Sequence, residues 1–278
     1  MSKQSLQPSY LDSHLDDMVA LSDSLSGHLS NREVRFLALV AATLPPSLGD
    51  VLEIGSFKGK STTVLAKSVS LSGGNLVVAV DPLNLPSSTD PSIECGESLP
   101  DLFWETLEAN GVRHLVEFHQ LRSEELALTW DRSLRLLWID GDHTYQGATA
   151  DFDNFARHLK PGSIVAFHDV LHPFEGPIRT FCERVLLSPA FGPCGVCGSI
   201  GWAQYVGPAS HSVAYVSRKL TLYRKLSRLI PLVALGRAPN YSHPFLYKVM
   251  RPLVPHSGVD PNAWIAEVGK NLPTASGR

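Results

Sequence analysis

Short apolar runs recur along the chain, separated by segments in which apolar positions return every three or four residues. Val51–Ile54, Leu76–Val80, Leu115–His119, Leu134–Ile139 and Ile164–Phe167 are runs of the first kind, and their continuity predicts strands buried on both faces. Ser61–Ser70, Leu102–Asn110, a stretch near Glu124–Thr129 and a longer one from about Tyr145 to Leu159 predict helices between them. Such alternation indicates an α/β fold, a parallel sheet covered on both faces. Upstream, Ser30 and Glu33 form an S-x-x-E capping box that predicts a helix to about Leu44, where Pro45 and Pro46 stop it. Two later pieces, around Val185–Leu187 and Ile200–Val206, are expected to add an antiparallel edge pair. Gly73-Gly74, Lys160-Pro161-Gly162 and Gly192-Pro193 mark tight connections, and Pro82–Pro100 reads as a lid or a disordered loop. The expected organisation is a cap segment at 1–30, one main domain at 31–207 and an extension at 208–278.

Composition agrees with one folded unit: 278 residues, 44% hydrophobic and 18% charged, are enough for a single sizeable core. The net charge of -3 offers no reason to expect nucleic acid as a partner. The N-terminus lacks the basic-then-apolar order of a secretory signal, and the longest candidate span, Leu226–Leu235, is short and carries Arg228 and Pro231. A cytoplasmic location is therefore expected. Cys95, Cys182, Cys194 and Cys197 are too few and irregular for a disulfide framework, and the lone Cys194-x-x-Cys197 pair gives little support for zinc or redox chemistry.

Charge is unevenly spread. No Asp or Glu occurs between Arg184 and Val259, while Arg184, Arg218, Lys219, Arg224, Lys225, Arg228, Arg237, Lys248 and Arg251 are basic, leaving the rest of the chain at -12. Beside that cluster, Leu222, Leu226, Leu229, Ile230 and Val233 recur at helical spacing. Two readings follow: peripheral contact of 218–251 with an anionic membrane, or packing of the stripe on the core or on a second subunit in a homo-oligomer.

The densest chemistry lies in Val51-Leu52-Glu53-Ile54-Gly55-Ser56-Phe57-Lys58-Gly59-Lys60-Ser61-Thr62. A strand ends in an acid, two glycines shape the turn and Ser-Thr opens a helix, which is a small-molecule pocket by position in an open α/β sheet. Gly55-x-x-x-Gly59 is not the G-x-G-x-x-G of dinucleotide sites. A phosphate-loop reading of Gly59-Lys60-Ser61-Thr62 needs a glycine where Ile54 stands and would put Glu53 beside a triphosphate. Asp81 closes the second strand where such folds place a ribose ligand, and Ser123 follows the third strand where an adenine edge could be met. Trp104, Trp138 and Trp202 are expected in the core.

Val51–Thr62, Val80-Asp81 and Leu137-Trp138-Ile139-Asp140-Gly141-Asp142-His143 together resemble class I S-adenosylmethionine (SAM)-dependent methyltransferases. The likeness, over roughly Leu29 to Val206, is to bacterial small-molecule and sugar O-methyltransferases, including macrocin O-methyltransferase-like and catechol O-methyltransferase-like enzymes. It implies a Rossmann-like, seven-stranded, mostly parallel sheet with an N-terminal helical cap and a basic C-terminal extension. It further implies that Glu53, Gly55, Gly59, Ser61 and Asp81 hold SAM. In metal-dependent relatives the acid after strand four and two residues after strand five hold the ion, here Asp140, His168 and Asp169; Mg²⁺ is the expected ion, although His168 departs from the usual oxygen pair. His143 falls where relatives carry the base that takes the acceptor proton. The implied reaction is methylation of a hydroxyl on a small or glycosylated molecule. A metal-independent methyltransferase and a silent SAM-binding scaffold are the alternatives.

Overall fold

A computed structural model describes residues 8–74, 76–84, 98–208, 213–235 and 244–272. Most of the predicted Pro82–Pro100 loop, Cys95 and Arg237 lie outside the described residues. Helices α1 (Pro8–Ser22) and α2 (Asn31–Thr43) lead into β1 (Asp50–Ile54), α3 (Lys60–Val69), β2 (Val77–Val80), α4 (Leu99–Ala109) and β3 (Val116–His119). Next come α5 (Ser123–Ala127), β4 (Leu134–Ile139), α6 (Tyr145–Phe155), β5 (Leu159–Phe167), α7 (Glu175–Thr180), β6 (Phe191–Cys197) and β7 (Ile200–Tyr205). Four helices close the chain: α8 (Val213–Leu226), α9 (Ile230–Ala234), α10 (Pro244–Met250) and α11 (Pro261–Val268).

The seven strands form one sheet in the order β3-β2-β1-β4-β5-β7-β6. Neighbours from β3 to β5 are parallel, and β7 runs antiparallel to both β5 and β6. Strand order reverses direction at β1, between β2 and β4, so a crevice opens at the carboxyl ends there. The predicted capping box is present: the Ser30 amide donates to Glu33 Oε2 at 2.8 Å as α2 begins.

Two sequence expectations are corrected. Val185–Leu187 is not a strand: Phe181–Leu186 forms a π-helical turn continuing α7, and the partner of β7 is Phe191–Cys197, which contains the supposed Gly192-Pro193 turn. Pro193 is tolerated because β6 is the sheet's edge and one of its sides needs no ladder donor. The α6 helix ends at Phe155 rather than Leu159, which pairs with Leu134 and opens β5. Ser163 secures that irregular start by accepting from the Lys160 amide and donating to the Leu134 carbonyl.

Alternate residues of the strands feed two core clusters, Val51, Val77, Leu136 and Ile164 in one and Leu52, Val78, Leu137 and Val165 in the other. Both ends of the chain join them. Leu11, Leu15 and Met18 of α1 enter the first cluster with Trp264 of α11, whose ring meets Phe36 and Trp202 at centroid distances of 5.5 and 4.8 Å. Of the predicted tryptophans, Trp138 and Trp202 are buried and Trp104 is half-buried.

The apolar stripe of the extension takes the packing alternative. Leu222, Leu226 and Leu229 are buried in the second cluster and Val233 is buried beside them in sequence, each burial worth about 1.5–3 kcal/mol, so these side chains are not presented to a membrane. Lys219 is buried and donates to the Ser188 and Phe191 carbonyls, Arg218 pairs with Glu267 at 2.6 Å, and Arg184 pairs with Asp153 at 3.1 Å. Among the described residues, no helix is long and apolar enough to cross a membrane.

Candidate active site

The crevice has two halves. In the first, β1 delivers Glu53 and Ile54, and Gly55 turns the chain at φ +87°; a Cβ there would lie 2.2 Å from the Asp140 carbonyl oxygen. Only glycine permits both the conformation and that approach. Gly59, at φ +85°, caps α3 in the left-handed region. The loop between them is tied to β2, because Ser56 and Phe57 amides donate to Asp81 Oδ2 at 2.8 and 2.9 Å and the Leu83 amide donates to Oδ1 at 2.8 Å. A carboxylate has about four lone-pair sites, so Asp81 retains capacity for a further donor. Phe57, Leu83 and Asp169 are the non-glycine residues with positive φ among those described, and all three lie at this carboxyl edge. Backbone strain of that kind concentrates where geometry serves a ligand.

Glu53 is fully buried. Its Oε2 accepts from Thr62 Oγ1 at 2.5 Å, while Oε1 has no partner. Burial pushes its pKa up to about 8 against hydrogen bonds from Ser61 and Thr62, so the resting side chain is largely neutral below that pH. Ser61 and Ser123 are buried, and the Ser123 hydroxyl donates to Asp151. Asp151 lies well inside α6, where burial pushes it up to about 7; it is not a helix-start charge. Asp142 does serve the start of α6, accepting from the Thr144 amide at 2.8 Å.

In the second half, Asp140 follows β4, and His168 and Asp169 follow β5. His143 Nε2 stands 3.6 Å from Asp140 Oδ1 and 3.4 Å from Asp169 Oδ2, its ring stacked on Phe174 at 4.5 Å. Neither ring nitrogen of His143 has a hydrogen-bond partner among the described residues. Burial lowers its pKa, but the two carboxylates outweigh that and raise it above the ordinary imidazole value. His168 stands behind this group, fully buried, with Nδ1 3.0 Å from Asp140 Oδ1 and Nε2 3.9 Å from Glu33 Oε2. Against the cost of burial, these acids hold it protonated, and its charge in turn holds Asp140 below the ordinary carboxylate range. Glu33 also accepts from the Ser199 amide and hydroxyl, each at 2.6 Å, linking α2 to the β6–β7 turn.

Among the described residues, one atom each from Asp140, His143 and Asp169 could share a cation, all within 4.8 Å of one another. Spacings of 3.4 and 3.6 Å between donors suit ligands around one ion, so these residues fit a divalent metal. The imidazole in this set stands at position 143, whereas the sequence pointed to 168. His168 already has Asp140 on one side and Glu33 on the other, and a nitrogen-containing set is less typical of Mg²⁺ than of transition ions.

The predicted residues stand at the carboxyl ends of β1, β2, β4 and β5 or at the starts of α3 and α5, with Ser123 bonded to Asp151 and His168 to Asp140. Sequence reasoning missed three contributors. Glu33 carried a signal for helix capping only, Asp151 read with Asp142 and Asp153 as a helix-start charge, and Phe174 stands in a turn with no local pattern.

Residues 52–170 match a family model described as a methyltransferase domain. Among solved structures, the O-methyltransferase NovP is 12% identical, with 71% of this chain and 98% of that chain covered at a TM-score of 0.52. An O-methyltransferase from Bacillus cereus in complex with SAH is 23% identical, covering 69% and 91% at 0.47. TomG from Streptomyces achromogenes, an O-methyltransferase of tomaymycin synthesis in complex with SAM, is 20% identical, covering 74% and 100% at 0.49. The NovP likeness is one of fold.

Proposed function

We propose, from the match of residues 52–170 to a family model described as a methyltransferase domain, that the chain moves the methyl group of SAM to a hydroxyl oxygen of a small or glycosylated molecule. The observation that carries this reading is His143 Nε2, unbonded and flanked by Asp140 and Asp169 at 3.6 and 3.4 Å at the edge of the donor crevice. Glu53, Gly55, Gly59, Ser61 and Asp81 are assigned to the methionine and ribose parts of SAM, and Ser123, steadied by Asp151, to the adenine end. Residues 31–207 form the catalytic domain in this assignment, 1–30 a cap segment and 208–278 an extension, whose described helices α1 and α8 to α11 add to the two core clusters or pack at their edges.

His143 is the base. The two carboxylates raise its pKa above the ordinary imidazole value against burial, which makes it a stronger base. As the acceptor oxygen attacks the sulfonium methyl carbon, the carbon–sulfur bond breaks and the acceptor proton passes to His143 Nε2. The resulting imidazolium lies between two carboxylates, which stabilise it and fix its direction. Phe174 covers one face of the ring and limits water around the transferred proton.

The spacing of the same three side chains favours a second reading, in which Asp140, His143 and Asp169 hold a divalent ion. Such an ion, when bound, would orient the acceptor oxygen and lower its pKa. The two readings differ in what a chelator does: full turnover in chelator-treated protein keeps His143 as base, and loss of turnover restored by Mg²⁺, Mn²⁺ or Zn²⁺ assigns it as a ligand. For the function itself, calorimetry with SAH and product mass analysis after incubation with SAM and a panel of sugars, phenols and polyketides provide the test. Failure of SAH to bind the folded protein would overturn the proposal.

A further inference from the structure

Glu33 has no part in the chemistry described above, and it stands outside residues 52–170, which match the family model. Helix capping accounts for one of its oxygens: Oε2 accepts from the Ser30 amide and hydroxyl at 2.8 and 2.7 Å. An acid in the first turn of a helix is ordinarily solvated, yet Glu33 is only 5% exposed. Its other oxygen, Oε1, accepts from the Ser199 amide and hydroxyl, and the turn between β6 and β7 is shaped around it. Gly198 in that turn has φ +62°, and a Cβ there would lie 2.7 Å from Glu33 Cγ and Oε1. A helix cap does not need this second set of partners.

Two routes lead from Glu33 to the carboxylates beside His143. In the first, Oε2 faces His168 Nε2 at 3.9 Å, and Nδ1 of the same ring stands 3.0 Å from Asp140 Oδ1 and 3.3 Å from Asp169 Oδ1. In the second, the Ser199 carbonyl accepts from the Val170 amide at 2.9 Å, one residue past Asp169. Asp169 has φ +60°, a conformation that a side-chain-bearing residue keeps only when its surroundings hold it. Glu33 is the residue the two routes share. Side chains at a reacting centre keep their geometry when groups behind them lock it, and losing such a group commonly costs activity without touching the ligand.

Resting on the methyl-transfer reading, we propose that Glu33 is a positioning residue for that reaction: through His168 it sets the direction of Asp140, and through Ser199 it holds the turn that presents Asp169. His143 needs those two carboxylates both as a base and as a metal ligand, so Glu33 serves either reading. The donor half is anchored separately, by the bonds of Asp81 to Ser56, Phe57 and Leu83.

The test compares full-length wild type, Glu33→Gln and Val34→Ala by thermal midpoint, by SAH calorimetry, and by kcat and KM for transfer of labelled methyl from SAM to 4-nitrocatechol and p-nitrophenyl glycosides. Val34 is buried in the core next to Glu33, so Val34→Ala should lower the midpoint through packing alone, with kcat unchanged. Glu33→Gln keeps the size of the side chain and is expected to lower kcat about 10- to 100-fold, with SAH affinity and the KM for SAM within a few-fold of wild type. A purely structural Glu33 would behave like Val34→Ala, a lower midpoint with kcat unchanged, and that result overturns the proposal. Should Glu33→Gln fail to fold, Ser199→Ala takes its place, with the same split expected at about 10-fold; an unchanged kcat there is equally fatal. If wild type binds SAH but methylates none of the probes, spectra of isotope-labelled histidine replace the rate. The His143 ring signals, identified with His143→Ala, should then move in Glu33→Gln and stay in Val34→Ala, and signals unmoved in Glu33→Gln overturn the proposal. If SAH does not bind wild type, the methyl-transfer reading itself fails, and the assignment of Glu33 falls with it.

Discussion

Between β1 and β2 the crevice is shaped by backbone: Gly55 and Gly59 at positive φ, and one carboxylate, Asp81, gathering three amides from loops on either side. Between β4 and β5 it is shaped by side-chain charge: Asp140, His143, His168 and Asp169 within ion-pair distance, steadied by Glu33 from α2 and Phe174 from a turn. The first half is built largely from neighbouring residues, and its Asp81 carboxylate is already bonded to three amides. The second keeps both nitrogens of His143 unbonded and concentrates charge that needs distant partners. A half made of backbone can hold the constant part of a reaction, the donor, whereas a half made of side chains from several elements can be refitted to different acceptors.

If that division is right, the largest effect should come from the backbone half. Gly55→Ala would drive a Cβ to 2.2 Å from the Asp140 carbonyl oxygen, and is expected to abolish SAH binding and lower the thermal midpoint together. Retention of normal SAH affinity in that variant would show that the loop is not the donor cradle. In the other half, His143→Ala should cut turnover by roughly 10²- to 10⁴-fold while SAH affinity stays within a few-fold. Single-turnover measurements of the methyl-transfer step check this, and an unchanged rate would remove His143 from the reaction. Asp81→Ala should weaken SAM by about 10- to 100-fold, the value of one or two hydrogen bonds to a charged group, without altering the turnover of the saturated enzyme.

A smaller effect is expected from Glu53, whose proton links the donor half to pH. Its pKa is raised from an ordinary 4.5 to about 8, so between those values the folded protein holds a proton that the unfolded chain has released. Stability from this group is therefore full below about pH 4.5 and is lost as pH rises toward 8. Glu53→Gln removes the titration, and the gap between the thermal midpoints of variant and wild type should move in the variant's favour from pH 5 to pH 8.5. A gap that does not change with pH would mean that Glu53 is ionised throughout. The smallest effect concerns the extension: with Leu222, Leu226, Leu229 and Val233 already buried, the protein should stay in solution in a flotation assay with anionic vesicles at low salt. Flotation abolished by salt would restore a membrane role through the exposed surface of α8 and α10.

The sequence by itself determined the β-α order, the strand limits near Val51–Ile54 and Leu134–Ile139, the glycine turn and the positions of Asp81, Asp140, His143, His168 and Asp169. Those features are local, because a continuous apolar run, a capping box or a glycine at a strand end is written in adjacent residues. Only the tertiary structure decided that β6 starts at Phe191 rather than Val185, since an edge position is what makes Pro193 acceptable in a strand. Tertiary contacts alone bring Glu33 to His168 and bury Asp151 beneath Ser123, although both acids look like ordinary helix charges in sequence. They also decided between the two fates of the C-terminal stripe. A helical apolar pattern records that a face will leave water, but which surface receives it depends on what stands opposite, and here that is the core.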